Sequence, residues 1–262
     1  MNVSIFLTSK IEGRKLSLVT CYDYTFARLL SKSSVDALLV GDSAAMVMHG
    51  HPSTLQATLE IMRLHTEAVV RGAGKKCVIA DMPFLTFRKG VSAALEVAQA
   101  LMSAGAAAVK LEGVRGHEDV VQRLVESGIP VMGHLGLEPQ SMRRYGGYHV
   151  QGRDEDQARK ILDHARVLEE LGAFAVVLEC IPSSLAAKIS VALKIPTIGI
   201  GAGVACDGQI LVLQDLLGLN TDFHPRFART FADIGQCVLA AIESYDRAVK
   251  TEQFPAREES FT

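Results

Sequence analysis

Eight short apolar runs punctuate the chain, at residues 16–22, 37–40, 77–80, 106–111, 130–132, 174–178, 196–200 and 209–213. Each is nearly continuous in apolar residues rather than alternating, which is the pattern of parallel strands buried on both faces. Between them the spacing changes to a helical period. From Asp154 the apolar positions are Ala158, Ile161, Leu162, Ala165, Leu168 and Leu171, which share one face of a helix. Asp154 suits its N-cap and Gly172 its C-terminal stop. Ala94, Val97, Ala98 and Leu101 repeat the pattern up to Gly105, and Val120, Val121, Leu124 and Val125 repeat it up to Gly128. Three helices therefore end at a glycine that leads directly into a strand, the connection of a serial βα architecture. An open doubly wound sheet would give the same local pattern. Eight strands with helices between them, in roughly 220 residues, favour a closed (β/α)8 TIM barrel.

The stretch 223–249 reads as a terminal helical region. Residues 251–262 read as a polar tail with one proline, free to lie on the surface or on a neighbouring subunit. No interdomain linker or low-complexity segment breaks the pattern. The expectation is one barrel domain over 1–262, with a tail at about 251–262.

Composition narrows the class. Hydrophobic residues make up 48% of the 262, enough for a large core, and the formal net charge is −2. There is no basic stripe of the kind a nucleic-acid binder shows. No run approaches the roughly 18 apolar residues of a membrane span. The apolar patch from Val3 to Leu7 is interrupted by Ser4 and lacks the basic flank of a secretion signal. Five cysteines, an odd count without a C-x-x-C pair, read as reduced packed thiols. A cytoplasmic enzyme without nucleic-acid or membrane partners is the expectation.

The ends of the apolar runs carry the chemical signal. After Val40 come Gly41, Asp42 and Ser43. After Ala80 comes Asp81. The fourth run ends Lys110, Leu111, Glu112, the fifth reaches His134, and the sixth ends Leu178, Glu179. Five consecutive strands thus finish in an ionisable side chain. In a barrel every C-terminal strand end opens on one face, so these groups should converge on one cleft. Lys110 and Glu112, two apart, share a face of their strand. Singly, each has an ordinary explanation: Asp42 or Asp81 as a helix cap, Lys110 with Glu112 as an ion pair, His134 as a packed core residue, Glu179 as a cap near Ser183. Together they leave unexplained why charge sits at the strand tips and almost nowhere inside the strands.

Weaker landmarks remain. His49 and His51 could bind metal but read better as a solvated loop, and His65 and His164 are expected on helix surfaces. The glycines from Gly199 to Gly203 lack a Walker lysine and the dinucleotide spacing, and read as a tight turn allowing close substrate approach.

Two aspartates and a glutamate without a matching His or Cys set suit a hard cation such as Mg²⁺, which keeps positions for water and substrate. An α-keto acid could chelate that ion, which would acidify the adjacent C–H and stabilise the resulting enolate. Lys110 and His134 could donate to the developing oxyanion, and Glu179 could move protons. Three other readings stay open at this point. One is a Mg²⁺-dependent barrel C–C lyase or mutase of the phosphoenolpyruvate mutase/isocitrate lyase type. Another is a Schiff-base aldolase using Lys110. The third is a non-catalytic small-molecule binder.

The segments Thr20-Cys-Tyr-Asp-Tyr, Leu39-Val-Gly-Asp-Ser, Ala80-Asp-Met-Pro-Phe, Val109-Lys-Leu-Glu-Gly, Gly133-His-Leu-Gly-Leu, Pro139-Gln-Ser, Gly146-Gly-Tyr-His-Val-Gln-Gly-Arg, Leu178-Glu-Cys-Ile-Pro, Ile198-Gly-Ile-Gly-Ala-Gly and Asp207-Gly-Gln-Ile-Leu-Val occur in this order. So ordered, and covering nearly the whole chain, they resemble the ketopantoate (3-methyl-2-oxobutanoate) hydroxymethyltransferase family. The resemblance implies a barrel and Mg²⁺. It also implies hydroxymethyl transfer from 5,10-methylenetetrahydrofolate to 3-methyl-2-oxobutanoate (α-ketoisovalerate), giving ketopantoate in pantothenate biosynthesis. It makes Asp42, Asp81 and Glu112 metal carboxylates, and Asp42, Ser43, Asp81 and Lys110 keto-acid contacts. His134 falls near the substrate, Glu179 matches the catalytic acid/base, and the assembly is a homo-oligomer, commonly a decamer. The chain departs from the family pattern at Gln56, where the pattern has proline, and in the basic stretch Met142-Arg143-Arg144.

Overall fold

The apolar runs become eight parallel strands: β1 (Leu16–Thr20), β2 (Ala37–Val40), β3 (Cys77–Asp81), β4 (Ala108–Glu112), β5 (Val131–Gly136), β6 (Ala175–Glu179), β7 (Thr197–Ile200) and β8 (Gly208–Leu211). They pair in sequence order, and β8 returns to β1 with Leu16 opposite Gly208, closing the barrel. The computed structural model describes residues 3–147, 149–220 and 225–261, excluding the side chains of Arg144 and Tyr145. Tyr148 of the Gly146–Arg153 segment, the Arg144 side chain, and residues 223–224 at the start of the expected terminal helix lie outside the described residues. By internal contacts the chain divides into two units, Met1–Val212 and Leu213–Thr262.

In the first unit the helical periods end where the sequence places them. Asp154 caps the helix Glu155–Glu170 by accepting the Gln157 N–H at 2.8 Å. At its other end the Gly172 N–H donates to the Glu169 carbonyl and the Ala173 N–H to the Leu168 carbonyl, so a paired turn closes the helix. The helices before Gly105 and Gly128 close the same way.

Strand alternation builds two cores. Leu38, Val40, Val78, Val109, Leu111, Val176 and Leu178 face the surrounding helices. Leu16, Leu18, Leu39, Cys77, Ile79, Ala108, Met132, Ala175, Val177, Ile198 and Ile210 form a second cluster, filling the barrel from within. The apolar patch at Val3–Leu7 belongs to a helix, Ser4–Ile11, that joins this inner cluster. Its Phe6 is fully buried and meets Phe174 edge to face at 5.1 Å. Phe174 precedes β6, so the helix closes the N-terminal end of the barrel.

No helix joins β7 to β8. The link folds back on itself, with Asp207 accepting the Thr197 N–H at 2.8 Å and Gln209 donating to the Gly203 carbonyl at 2.9 Å. A Cβ at Gly199 would lie 3.0 Å from Cys206 Sγ and the Gln209 amide, and one at Gly203 would lie 2.5 Å from Ser183 Cβ. The close approach that these glycines allow is therefore to the protein's own side chains.

The second unit holds a short helix, Leu213–Leu216, and a long one, Ile234–Lys250, capped by Asp233. The long helix begins later than expected, because residues 225–233 form turns and irregular chain. Its links to the short helix run through backbone: the Phe231 N–H donates to the Leu216 carbonyl and the Ile234 N–H to the Leu217 carbonyl. No residue of Ile234–Lys250 is buried, and Val238, Leu239, Ile242, Tyr245 and Val249 form an exposed apolar stripe along it. Among the described residues no helix is long and apolar enough to cross a membrane.

Candidate active site

The inward face of each central strand starts apolar and ends ionisable. Along β3 the inward positions are Cys77, Ile79 and Asp81. Along β4 they are Ala108, Lys110 and Glu112. Along β5 Met132 is followed by His134, and along β6 Ala175 and Val177 are followed by Glu179. The register sets Asp81 beside Lys110 and Glu112 beside His134. Period-two alternation thus stacks an ionisable layer on the apolar barrel core, at the C-terminal end where barrel enzymes work.

The predicted residues come together. Lys110 Nζ lies 2.6 Å from Asp81 Oδ1, while Asp81 Oδ2 accepts the Asp42 N–H at 3.0 Å. His134 stands between two carboxylates, with Nδ1 at 3.6 Å from Glu112 Oε1 and Nε2 at 3.2 Å from Glu179 Oε2. Asp42, Asp81, Lys110, Glu112 and His134 are all buried. The Glu179 side chain is more open, at 14% exposure against 4% for Asp81 and for Glu112. Neither Asp42 nor Glu179 caps a helix: the helix after β2 has no side-chain cap, nor does the one beginning at Ser183.

Close packing fixes the Glu179 end of β6. A Cβ at Gly136 would stand 2.2 Å from the Glu179 carbonyl oxygen, so only glycine lets β5 turn there. That carbonyl accepts the Leu137 N–H at 2.8 Å. The next residue, Cys180, holds the left-handed φ of 47°, a strained value for a side chain and typical of functional sites.

The electrostatics follow from crowding. Burial, then Asp81, pushes the Asp42 carboxyl up to about 7, against the pull of Lys110 and the Gln140 amide. Burial and Asp42 likewise hold Glu112 well above the ordinary carboxylate range. Burial works to discharge Lys110, but Asp81, Asp42 and Glu112 outweigh it and keep its pKa above the usual lysine value. A Schiff-base lysine needs the opposite, a depressed pKa that frees the amine. The shift at Lys110 runs the other way.

Two polar side chains complete the cluster without having been singled out in the sequence. The Tyr22 hydroxyl lies 2.7 Å from Ser43 Oγ. The Gln140 side-chain amide donates to Asp42 Oδ2 at 2.8 Å and to the Met82 carbonyl at 3.1 Å, while its backbone N–H donates to Glu112 Oε2 at 3.0 Å. Each is a polar residue just past a strand in apolar surroundings, and each falls in a family-like segment, Thr20–Tyr24 or Pro139–Ser141. Elsewhere the expectation of a surface His65 fails. It is buried, with Nδ1 against the Tyr22 carbonyl and Nε2 2.8 Å from His49 Nε2, because its helix face packs toward the end of β1.

Three carboxyl groups therefore crowd one ammonium, and a fourth, Glu179, lies beside His134. Burial and mutual repulsion push Asp42 and Glu112 toward their neutral forms, and a cation in the cluster would relieve that crowding. Among the described residues no three acidic, imidazole or thiol groups are gathered tightly enough to hold an ion by themselves. Mg²⁺ does not require that: it takes one or two carboxylates and fills its remaining positions with water and substrate oxygens. The all-oxygen donor set of Asp42, Asp81 and Glu112 fits such an ion.

Fold and site together define a (β/α)8-barrel enzyme with a buried acidic cluster at its C-terminal strand ends. The chain matches the ketopantoate hydroxymethyltransferase family model over residues 1–257. It is 54% identical to the 3-methyl-2-oxobutanoate hydroxymethyltransferase of Bdellovibrio bacteriovorus, over 98% of both chains. The chain belongs to the ketopantoate hydroxymethyltransferase family. Among solved structures it resembles phosphonopyruvate hydrolase in complex with oxalate and Mg²⁺, at a TM-score of 0.65 and 10% identity, covering 99% of this chain and 93% of that one. It also resembles 2,3-dimethylmalate lyase, a member of the PEP mutase/isocitrate lyase superfamily, at a TM-score of 0.61 and 18% identity, covering 99% and 91%. At these identities the likeness is one of fold.

Proposed function

We propose that the protein transfers a hydroxymethyl group from 5,10-methylenetetrahydrofolate to 3-methyl-2-oxobutanoate, giving ketopantoate for pantothenate biosynthesis. One observation carries the reading: the inward strand tips gather buried carboxylates around a single lysine, a site suited to an oxo acid held against a divalent cation. Asp42 and Asp81, with Glu112 directly or through water, would hold Mg²⁺, which supplies Lewis acidity toward the bound keto acid. Lys110 offers its ammonium to the charge that develops on the substrate oxygen. Ser43, fixed by Tyr22, and His134 bound the same space.

Glu179 is the residue placed to move protons, as the most open of the four carboxyls and with His134 beside it. Loss of the C3 proton leaves a carbon nucleophile. A bond then forms from C3 to the folate methylene carbon, that carbon's two bonds to the folate nitrogens break, water supplies the hydroxyl, and the C3 proton and the water's remaining proton end on the two nitrogens. The test is consumption of 3-methyl-2-oxobutanoate that depends on 5,10-methylenetetrahydrofolate and on Mg²⁺, with ketopantoate as product. Consumption without the folate, or cleavage to smaller acids, would move the protein to the lyase/mutase class instead.

The site chemistry needs only small molecules. The exposed apolar stripe on Ile234–Lys250 supports a homo-oligomer, which we take to be a decamer on the family resemblance. The five cysteines are free thiols, in keeping with a reducing, cytoplasmic setting.

A further inference from the structure

We propose that Gln140 is a positioning residue for the cation site, holding Asp42 and Glu112 in their ion-binding orientations and accepting a hydrogen bond from a water on the ion. This role rests on the reading of the acidic cluster as a metal site.

Its geometry is unusually constrained. Gln140 lies in the short 3-10 turn Pro139–Ser141 that comes after β5. Pro139 fixes the backbone at the first position of that turn, and the Ser141 N–H donates to the Glu138 carbonyl. From this turn Gln140 reaches three other strand ends: Glu112 at the end of β4 through its backbone N–H, Asp42 after β2, and the Met82 carbonyl after β3. Leu137, just before it, is bound to Glu179 at the end of β6. One turn thus fastens together the strand ends that carry the acidic cluster.

The orientation of the Gln140 amide is set by chemistry. A carboxylate oxygen and a backbone carbonyl face one side of it, and both are acceptors, so the NH₂ group must point there. The amide oxygen then points the other way. It is buried and has no hydrogen-bond partner among the described residues. A buried acceptor in that state is costly unless a donor arrives. The O–H groups of water on a divalent cation are strong donors of the required kind. Outer-shell partners that fix metal-binding carboxylates act in this way, through the ligands rather than on the substrate.

Mn²⁺ serves as the probe, with the full-length protein. Wild type, Gln140→Met and Gln140→Asn are titrated with Mn²⁺, with the free and bound ion read by electron paramagnetic resonance and bound water by proton relaxation. Gln140→Met keeps the volume and the backbone N–H but loses both side-chain donors and the acceptor. We expect its Mn²⁺ affinity to fall about 10- to 100-fold, with an altered bound-ion spectrum, while the folded protein persists. Gln140→Asn retains an amide that is too short to reach both acceptors, so it should fall between the two. It also carries the test if the Met variant does not fold. Wild-type affinity and spectrum in the variants, with only a lowered Tm, would make Gln140 a structural residue and overturn the proposal. Asp81→Asn separates the two layers of reasoning. If wild type binds Mn²⁺ no better than this variant, the metal reading falls and takes the role of Gln140 with it.

Discussion

At the N-terminal end of the barrel, Lys10 Nζ meets Asp207 Oδ2 at 2.8 Å and the Ser190 carbonyl at 2.9 Å, while Asp207 also accepts from Thr197. Arg14 pairs with Asp36, which accepts the Ser17 N–H at 2.9 Å as well. These charges are paired, and Phe6 seals the opening. At the C-terminal end, Asp42, Asp81 and Glu112 crowd one lysine, a histidine lies between Glu112 and Glu179, and a glutamine oxygen has no donor among the described residues. The same strands thus finish one end as a closed, balanced structure and leave the other unbalanced. A fold selected for stability alone would neutralise both ends. On the proposed reading, the first end holds the barrel shut and the second binds charged ligands.

Substitutions at the two ends should separate these roles. The largest effect is expected from Glu179→Gln, which should lower turnover about 10²- to 10⁴-fold while Mg²⁺ and keto-acid binding persist, as measured by steady-state kinetics and calorimetry. Undiminished turnover would remove Glu179 from proton transfer. Phe6→Ala, at the sealed end, should reverse the pattern. It should cost about 3–5 kcal/mol in denaturant unfolding and leave kcat per folded molecule unchanged. Asp207→Asn should behave alike on a smaller scale, about 1–3 kcal/mol, through the loosened Lys10 and Thr197 contacts. A turnover loss in either variant without a stability loss would blur the comparison.

The smallest effect is one of pH. Asp42 titrates near 7 in the folded protein, above its ordinary 3.8, so between those values the folded state binds more protons than the unfolded one. Its contribution therefore makes the ion-free protein less stable as pH rises through that window, and is constant above it. His117, buried and lowered to about 4 from 6.5, contributes with the opposite sign, stability being lost as pH falls through its window. Comparing wild type with Asp42→Asn by thermal unfolding across pH isolates the Asp42 part. Because the ion must displace that proton, Mn²⁺ affinity should weaken about tenfold per pH unit below 7. A pH-independent affinity would contradict the assignment of Asp42 as a ligand.

Much of this was legible in the sequence, for a physical reason. Strands buried on both faces must be continuous apolar runs, so Cys77–Asp81 and Ala108–Glu112 announce themselves, and a charge at the tip stands out against them. Alternation then carries Lys110 and Glu112 to one face with no further information. Gln140 was not legible as a participant, because its bond to Asp42 spans 98 residues and a glutamine in a Pro-Gln-Ser turn has no periodicity to betray it. Phe6 was hidden for a related reason. Its helix is eight residues long and buries little besides that one ring, so it reads as a stray apolar patch. His65 misled because its role is set by Tyr22 and His49, which reach it from outside its helix.

The central claim is that the acidic strand tips form one cation-dependent site that loosens the C3 proton of an oxo acid. It is tested most directly by NMR of 3-methyl-2-oxobutanoate in D₂O with the enzyme, without folate, before and after the divalent ion is chelated. The expected result is loss of the C3 proton signal only when Mg²⁺ is present, and its retention with Asp81→Asn. Exchange that continues unchanged in chelator, or that survives in Asp81→Asn, would contradict the account.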